Sequence, residues 1–113
     1  MKRLHNLWMS HCNILGKKIP INYKDLKGEN MGLYHPCKRY IEIEEKLKGN
    51  DLKLTLIHEQ LHAICDILNI QIPLVLEEIL CDIIADQILE NFDVRLKAHL
   101  KQQLDESSKT SGS

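Results

Sequence analysis

The sequence predicts a small α+β domain, an N-terminal helix followed by a small mixed sheet and then two or three helices. Three observations carry this. Strict apolar/polar alternation is confined to the first half of the chain, strong 3.6-residue periodicity fills residues 52–68 and 75–91, and 113 residues suffice for one core only. A single domain over residues 1–106 is expected, with the polar run 107–113 as a disordered tail.

Residues 2–15 read as an amphipathic helix, because Leu4, Leu7, Trp8, His11 or Cys12, and Leu15 recur at helical spacing and Gly16 follows as a stop. Ile19, Pro20, Ile21, Asn22 and Tyr23 form a short extended run whose proline suits an edge strand. Gly28, Asn30 and Gly32 mark a turn, and residues 32–34 begin a second strand that His35-Pro36 interrupts. Residues 39–44 alternate: Ile41 and Ile43 point one way, Tyr40, Glu42 and Glu44 the other, as in a strand with one wet face. Residues 46–50 form a loop, and Asn50 or Asp51 can cap the helix that follows.

That helix, residues 52–68, carries an apolar stripe of Leu54, Ile57, Leu61, Ile64, Cys65 and Leu68. Beside it runs a polar stripe of Thr55, His58, Glu59, His62 and Asp66. Pro73 ends the segment, and a second helix is expected over residues 75–91, with Ile79, Leu80, Ile83, Ile84 and Ile88 apolar and Glu78, Asp82 and Asp86 four residues apart. Phe92, Leu96, Leu100 and Leu104 continue a weaker helical pattern after a cap at Asp93.

His58-Glu59-Gln60-Leu61-His62 fits the pattern H-E-x-x-H. Residues four apart on a helix share a face, so both imidazoles reach one ion, and zinc accepts neutral imidazole nitrogen readily. Glu59, one position along, projects beside the metal, where it can hold a water. Such a site needs a third protein ligand, commonly a carboxylate. The short link through Pro73 makes the next helix an antiparallel neighbour. Glu77, Glu78, Asp82 and Asp86 are its candidate acids; Glu78 can bind metal while Asp82 holds the outer nitrogen of a ligand histidine.

The pairing of HExxH with a downstream ExxxD resembles the gluzincin metallopeptidases, over residues 39–90, and the size is similar to the minigluzincins and to small zincin-like proteins of mobile elements. The resemblance implies a zincin-like fold binding Zn²⁺ through His58, His62 and Glu78, with Glu59 as general base and Asp82 behind the ligands. It also implies that residues 39–44 are the edge strand, holding an extended peptide or protein substrate alongside Tyr40, Ile41 and Glu42. The downstream Tyr or His that stabilises the oxyanion in larger relatives has no match but His99; Tyr34, His35 and Tyr40 lie upstream.

The function expected is therefore zinc-dependent peptide hydrolysis. A zincin-fold binding or regulatory protein with an idle metal, or a peptidase that cuts one specific partner, are the alternatives. The net charge of −1, with Lys17, Lys18, Lys38 and Arg39 scattered, gives no basic track for nucleic acid. No segment has the length and apolarity of a membrane span. Met1-Lys2-Arg3 starts like a secretory signal, but His5, Asn6, Ser10, His11 and Asn13 break the apolar stretch, so a cytoplasmic protein is expected. Cys12, Cys37, Cys65 and Cys81 lack CxxC spacing and read as free thiols; a disulfide framework or a metal-bound Cys81 is the lesser reading.

Overall fold

The structure, a computed structural model, describes residues 9–99. Residues 2–8 of the expected N-terminal helix, the positions Leu100 and Leu104 and the polar run 107–113 lie outside the described residues. Four strands precede two helices: β1 (His11–Ile14), β2 (Lys17–Lys24), β3 (Gly32–His35), β4 (Tyr40–Glu44), α1 (Gly49–Ile67) and α2 (Leu74–Asn91). The α+β class and the mixed sheet are as the sequence predicts.

The last residues assigned to the N-terminal helix form β1 instead. Cys12 and Ile14 are buried, His11 is half-buried and Asn13 exposed, a strand's alternation that the spacing of Leu15 obscures. Leu15 and Gly16 both take left-handed backbone (φ 49° and 83°), which turns β1 tightly into antiparallel pairing with β2. Gly16 is thus a hairpin residue rather than a helix stop.

The sheet order is β1-β2-β4-β3. β2 pairs with β1 over Lys17 to Pro20 and then, in parallel, with β4 over Ile21 to Lys24. Pro20 is therefore not on an edge strand; it stands where β2 changes partners. β4 is not an edge strand either. It is paired with β2 on one side and antiparallel β3 on the other, so among the described residues β3 is the edge strand on that side of the sheet, with β1 at the opposite edge. An extended substrate cannot add to the backbone of Ile41 and Glu42, which already faces two strands, and Tyr40 is paired with His35 of β3.

Ile19, Ile41 and Ile43 from the sheet and Leu56 from α1 form the most enclosed part of the core. The inward face of α1 is Thr55, Leu56, Glu59 and Ala63, not the predicted stripe, whose members are half-buried or, for Leu68, exposed. The reason is that α1 meets two neighbours, the sheet and α2, so no single stripe captures its contacts. No side chain caps α1: Lys48 is the N-cap, and Asn50 and Asp51 fall inside the first turn. Its end is a Schellman motif, with Ile70 N–H donating to the Cys65 carbonyl (2.8 Å), Asn69 N–H to that of Asp66 (3.1 Å), and Asn69 left-handed at φ 56°.

Helix α2 follows Pro73 and packs against α1. Residues 93–99 continue without helix, so the weak periodicity after Asp93 does not make one there; Leu96 instead packs partly against the core. All four cysteines are free. Among the described residues, no helix is long and apolar enough to cross a membrane.

Leu56, with no exposed surface, is where helix and sheet meet, so Leu56→Ala should cost ~2–5 kcal/mol in urea unfolding. A loss below about 1 kcal/mol would mean that this contact does not hold α1 on the sheet.

Candidate metal centre

The site is built on α1, which stands on the sheet through Leu56 and Ala63, and this packing sets the direction in which His58, Glu59 and His62 face. Together with α2 and the free edge of β3, it walls an open cleft of about 800 Å³. Gly32, Leu33 and Tyr34 line it from the sheet, His58, Glu59 and His62 from α1, and Glu77, Glu78 and Asp82 from α2.

His58 and His62 turn their Nε2 atoms toward each other, 3.1 Å apart. Glu78 reaches both from α2: Oε1 is 3.3 Å from His58 Nε2, and Oε2 is 2.9 Å from His62 Nε2. One donor atom from each of the three residues lies within 4.8 Å of the others, and this is the set that could hold a metal among the described residues. Tetrahedral zinc with bonds of ~2.0–2.1 Å separates its ligand atoms by about 3.3–3.4 Å, so two nitrogens and a carboxylate at these spacings fit zinc with little movement.

The far nitrogens are also held. Nδ1–H of His62 donates to Glu77 Oε2 at 2.6 Å, and Asp82 Oδ1 stands 2.9 Å from His58 Nδ1. A carboxylate at Nδ1 keeps the proton on that nitrogen and leaves the Nε2 lone pair for a metal. Asp82 thus stands at the outer nitrogen of a motif histidine. Glu77, one of the alternative third ligands, does the same job for His62, while Asp86 does not line the cleft. Cys81 stands apart from this donor set: its sulfur approaches His62 from the Nδ1 side at 3.8 Å, and burial pushes its thiol up to about 12.

Glu59 differs from these acids. Only 6% exposed, it is pressed against the backbone of β3 at Gly32. A Cβ at Gly32 would lie 2.6 Å from Thr55 Cγ2, 3.0 Å from Glu59 Cγ and 3.2 Å from Glu59 Oε2, so only glycine lets strand and carboxylate approach this closely. Burial pushes the Glu59 carboxyl up to about 7; His62 draws it down, and Glu78 and Asp82 push it further up.

Tyr34 is the one upstream aromatic that lines the cleft, and its hydroxyl donates to Asp66 Oδ2 at 2.6 Å. Arg39 donates to the same oxygen at 3.3 Å, tying the end of the β3–β4 turn to α1 one turn beyond His62. His35 and Tyr40 stack on each other at 4.4 Å outside the cleft, with His35 bonded to Glu42. Glu42 also pairs with Lys24 at 3.4 Å. His99 accepts from the Ser10 N–H and stacks on His11, likewise outside the cleft.

Burial alone would lower the pKa of His62, but the bond to Glu77 and the charges of Glu59, Glu78 and Glu77 outweigh it and raise it. A raised imidazole stabilises the metal-free fold below its ordinary value of ~6.5, and this contribution is lost as pH rises through the raised value. Zinc needs the neutral ring, so zinc affinity should fall as pH drops, starting above pH ~6.5 and steepening to about tenfold per unit for each proton displaced. Competition titrations with a chelator should show the onset moving to lower pH in Glu77→Gln; an unmoved onset would contradict the role given to Glu77.

No protein-family model, curated protein or solved structure matches this chain.

Proposed function

We propose that the chain is a gluzincin-like zinc metallopeptidase, with His58, His62 and Glu78 as zinc ligands and Glu59 as general base. The observation that carries this reading is the convergence of three donor atoms beside one buried carboxylate that is not itself a donor. A purely structural zinc site has no use for such a neighbour.

Bound at these donors, zinc supplies Lewis acidity, lowering the pKa of a water toward ~7 and polarising a carbonyl. The residues of the chain do the rest. Asp82 and Glu77 hold the two imidazoles in one tautomer and orientation. Glu59, buried and close to neutrality in its affinity for protons, takes a proton from the attacking water and returns it to the departing amine. Gly32 lets the backbone of β3 come up against that carboxylate. The free edge of β3 is where an extended peptide can pair, held through its backbone, so the strand-addition role moves from Tyr40, Ile41 and Glu42 to β3. Weak sequence preference follows unless a partner protein adds selectivity. Four free thiols suit a reducing compartment, and we place the protein in the cytoplasm on that ground.

One observation favours a second reading, a zincin-fold binding or regulatory protein with an idle zinc. Tyr34, the phenol that lines the cleft, spends its hydroxyl on Asp66 and is not turned to the reacting atoms.

Zinc-loaded protein incubated with a mixed peptide library and followed by mass spectrometry separates the two. The wild type should cut, and Glu59→Gln should retain one zinc per chain while losing at least 10²-fold in rate. Equal cutting by Glu59→Gln sinks the catalytic role of Glu59, and no cutting of any peptide by the zinc-loaded wild type favours the idle site.

A further inference from the structure

Helix α2 buries only Cys81 and Ala85. On its far side, at helical spacing, stand Leu76, Ile79, Leu80, Ile83 and Ile84, each 40–52% exposed, with Val75 at 73% beside them. Their exposed surface is on the order of 600 Å², the upper end of the largest apolar patch on a typical monomer. A helix apolar on both faces is built for an interior, and among the described elements α2 has one neighbour, α1.

The charges of α2 say what can cover this face. Glu77, Glu78, Asp82, Asp86 and Glu90 are all acidic, and the helix carries no lysine or arginine. The row Glu78, Asp82, Asp86, Glu90, with successive members four apart, leaves the metal centre and drifts round to the flank of the apolar stripe near the C-terminal end. The N-terminal half of the stripe is uncharged, and no side chain caps the helix start at Pro73. A second α2 laid antiparallel about a two-fold axis near Leu80 puts Asp86 and Glu90 of each copy beside the N-terminal turn of the other. Free N–H groups and the helix dipole favour anions there. Parallel packing would instead bring Asp86 and Glu90 of both copies to the same end, away from either helix N-terminus. A stable interface takes about 800 Å² from each partner, which the apolar stripe and its rim of Asp86, Gln87 and Glu90 together approach.

We infer that the outward face of α2 is a homodimer interface, in which two chains pack antiparallel through Leu76, Ile79, Leu80, Ile83 and Ile84. The two α1–α2 pairs then form one four-helix layer. Glu78 and Asp82 lie on a different side of α2 from the stripe, so both clefts stay open. The inference stands apart from any reading of the metal centre.

Light scattering on the full-length protein at tens of micromolar should give twice the chain mass. The variant carrying both Ile79→Glu and Ile83→Glu should give the chain mass, with unchanged helical circular dichroism, because both positions are already half exposed. A monomeric wild type overturns the inference and leaves the face to another protein or a lipid surface. An open series of larger assemblies, or a dimer that survives the double variant, overturns it as well.

Discussion

A carboxylate from α2 stands at the far nitrogen of each motif histidine, Asp82 at His58 and Glu77 at His62, and the remainder of the site depends on these two contacts. They fix the tautomers, turn both Nε2 atoms inward and bring α2 to the distance at which Glu78 reaches both rings. They add to the apolar contact between the helices, in which α2 buries Cys81 and Ala85 and half-buries Ile88 and Leu89. The contacts that shape the site are thus also part of the packing of the helix pair.

Environment divides the carboxylates of the cleft by role. Glu77 and Asp82 are spent on imidazole N–H groups, Glu78 faces the lone pairs, and Glu59 is enclosed against β3, where burial raises its proton affinity. Four acids lining one cleft thus differ in what they can do because of what each touches. Gly32 is the structural condition for the last of them: without a side chain there, the free edge of the sheet and the buried carboxylate come together in one wall of the cleft.

The helices and the motif were legible because their signals are local. The spacing of His58, Glu59 and His62, and of Glu78 and Asp82, is set by helix geometry alone, and the structure brings these five together as expected. Which of the adjacent Glu77 and Glu78 would face which nitrogen depends on how α2 crosses α1, and no spacing within one helix encodes that. Sheet order is equally non-local. The alternation of Ile41 and Ile43 identifies a strand with one buried face but is the same in an edge and an inner strand, so it cannot distinguish β4 from the edge strand β3. At β1, the pattern of Cys12 and Ile14 was masked by leucines at helical spacing on either side, while Leu15 and Gly16 carried a hairpin signal only visible once both are seen to be left-handed. Gly32 could have been suspected from a glycine opening a strand, a common mark of close backbone approach.

X-ray absorption on protein loaded with one equivalent of zinc tests the assignment of the metal centre most directly. The expected first shell holds two imidazoles and otherwise oxygen donors at ~2.0–2.2 Å. A sulfur donor at ~2.3 Å, or zinc held by oxygen alone, would contradict the assignment of His58, His62 and Glu78.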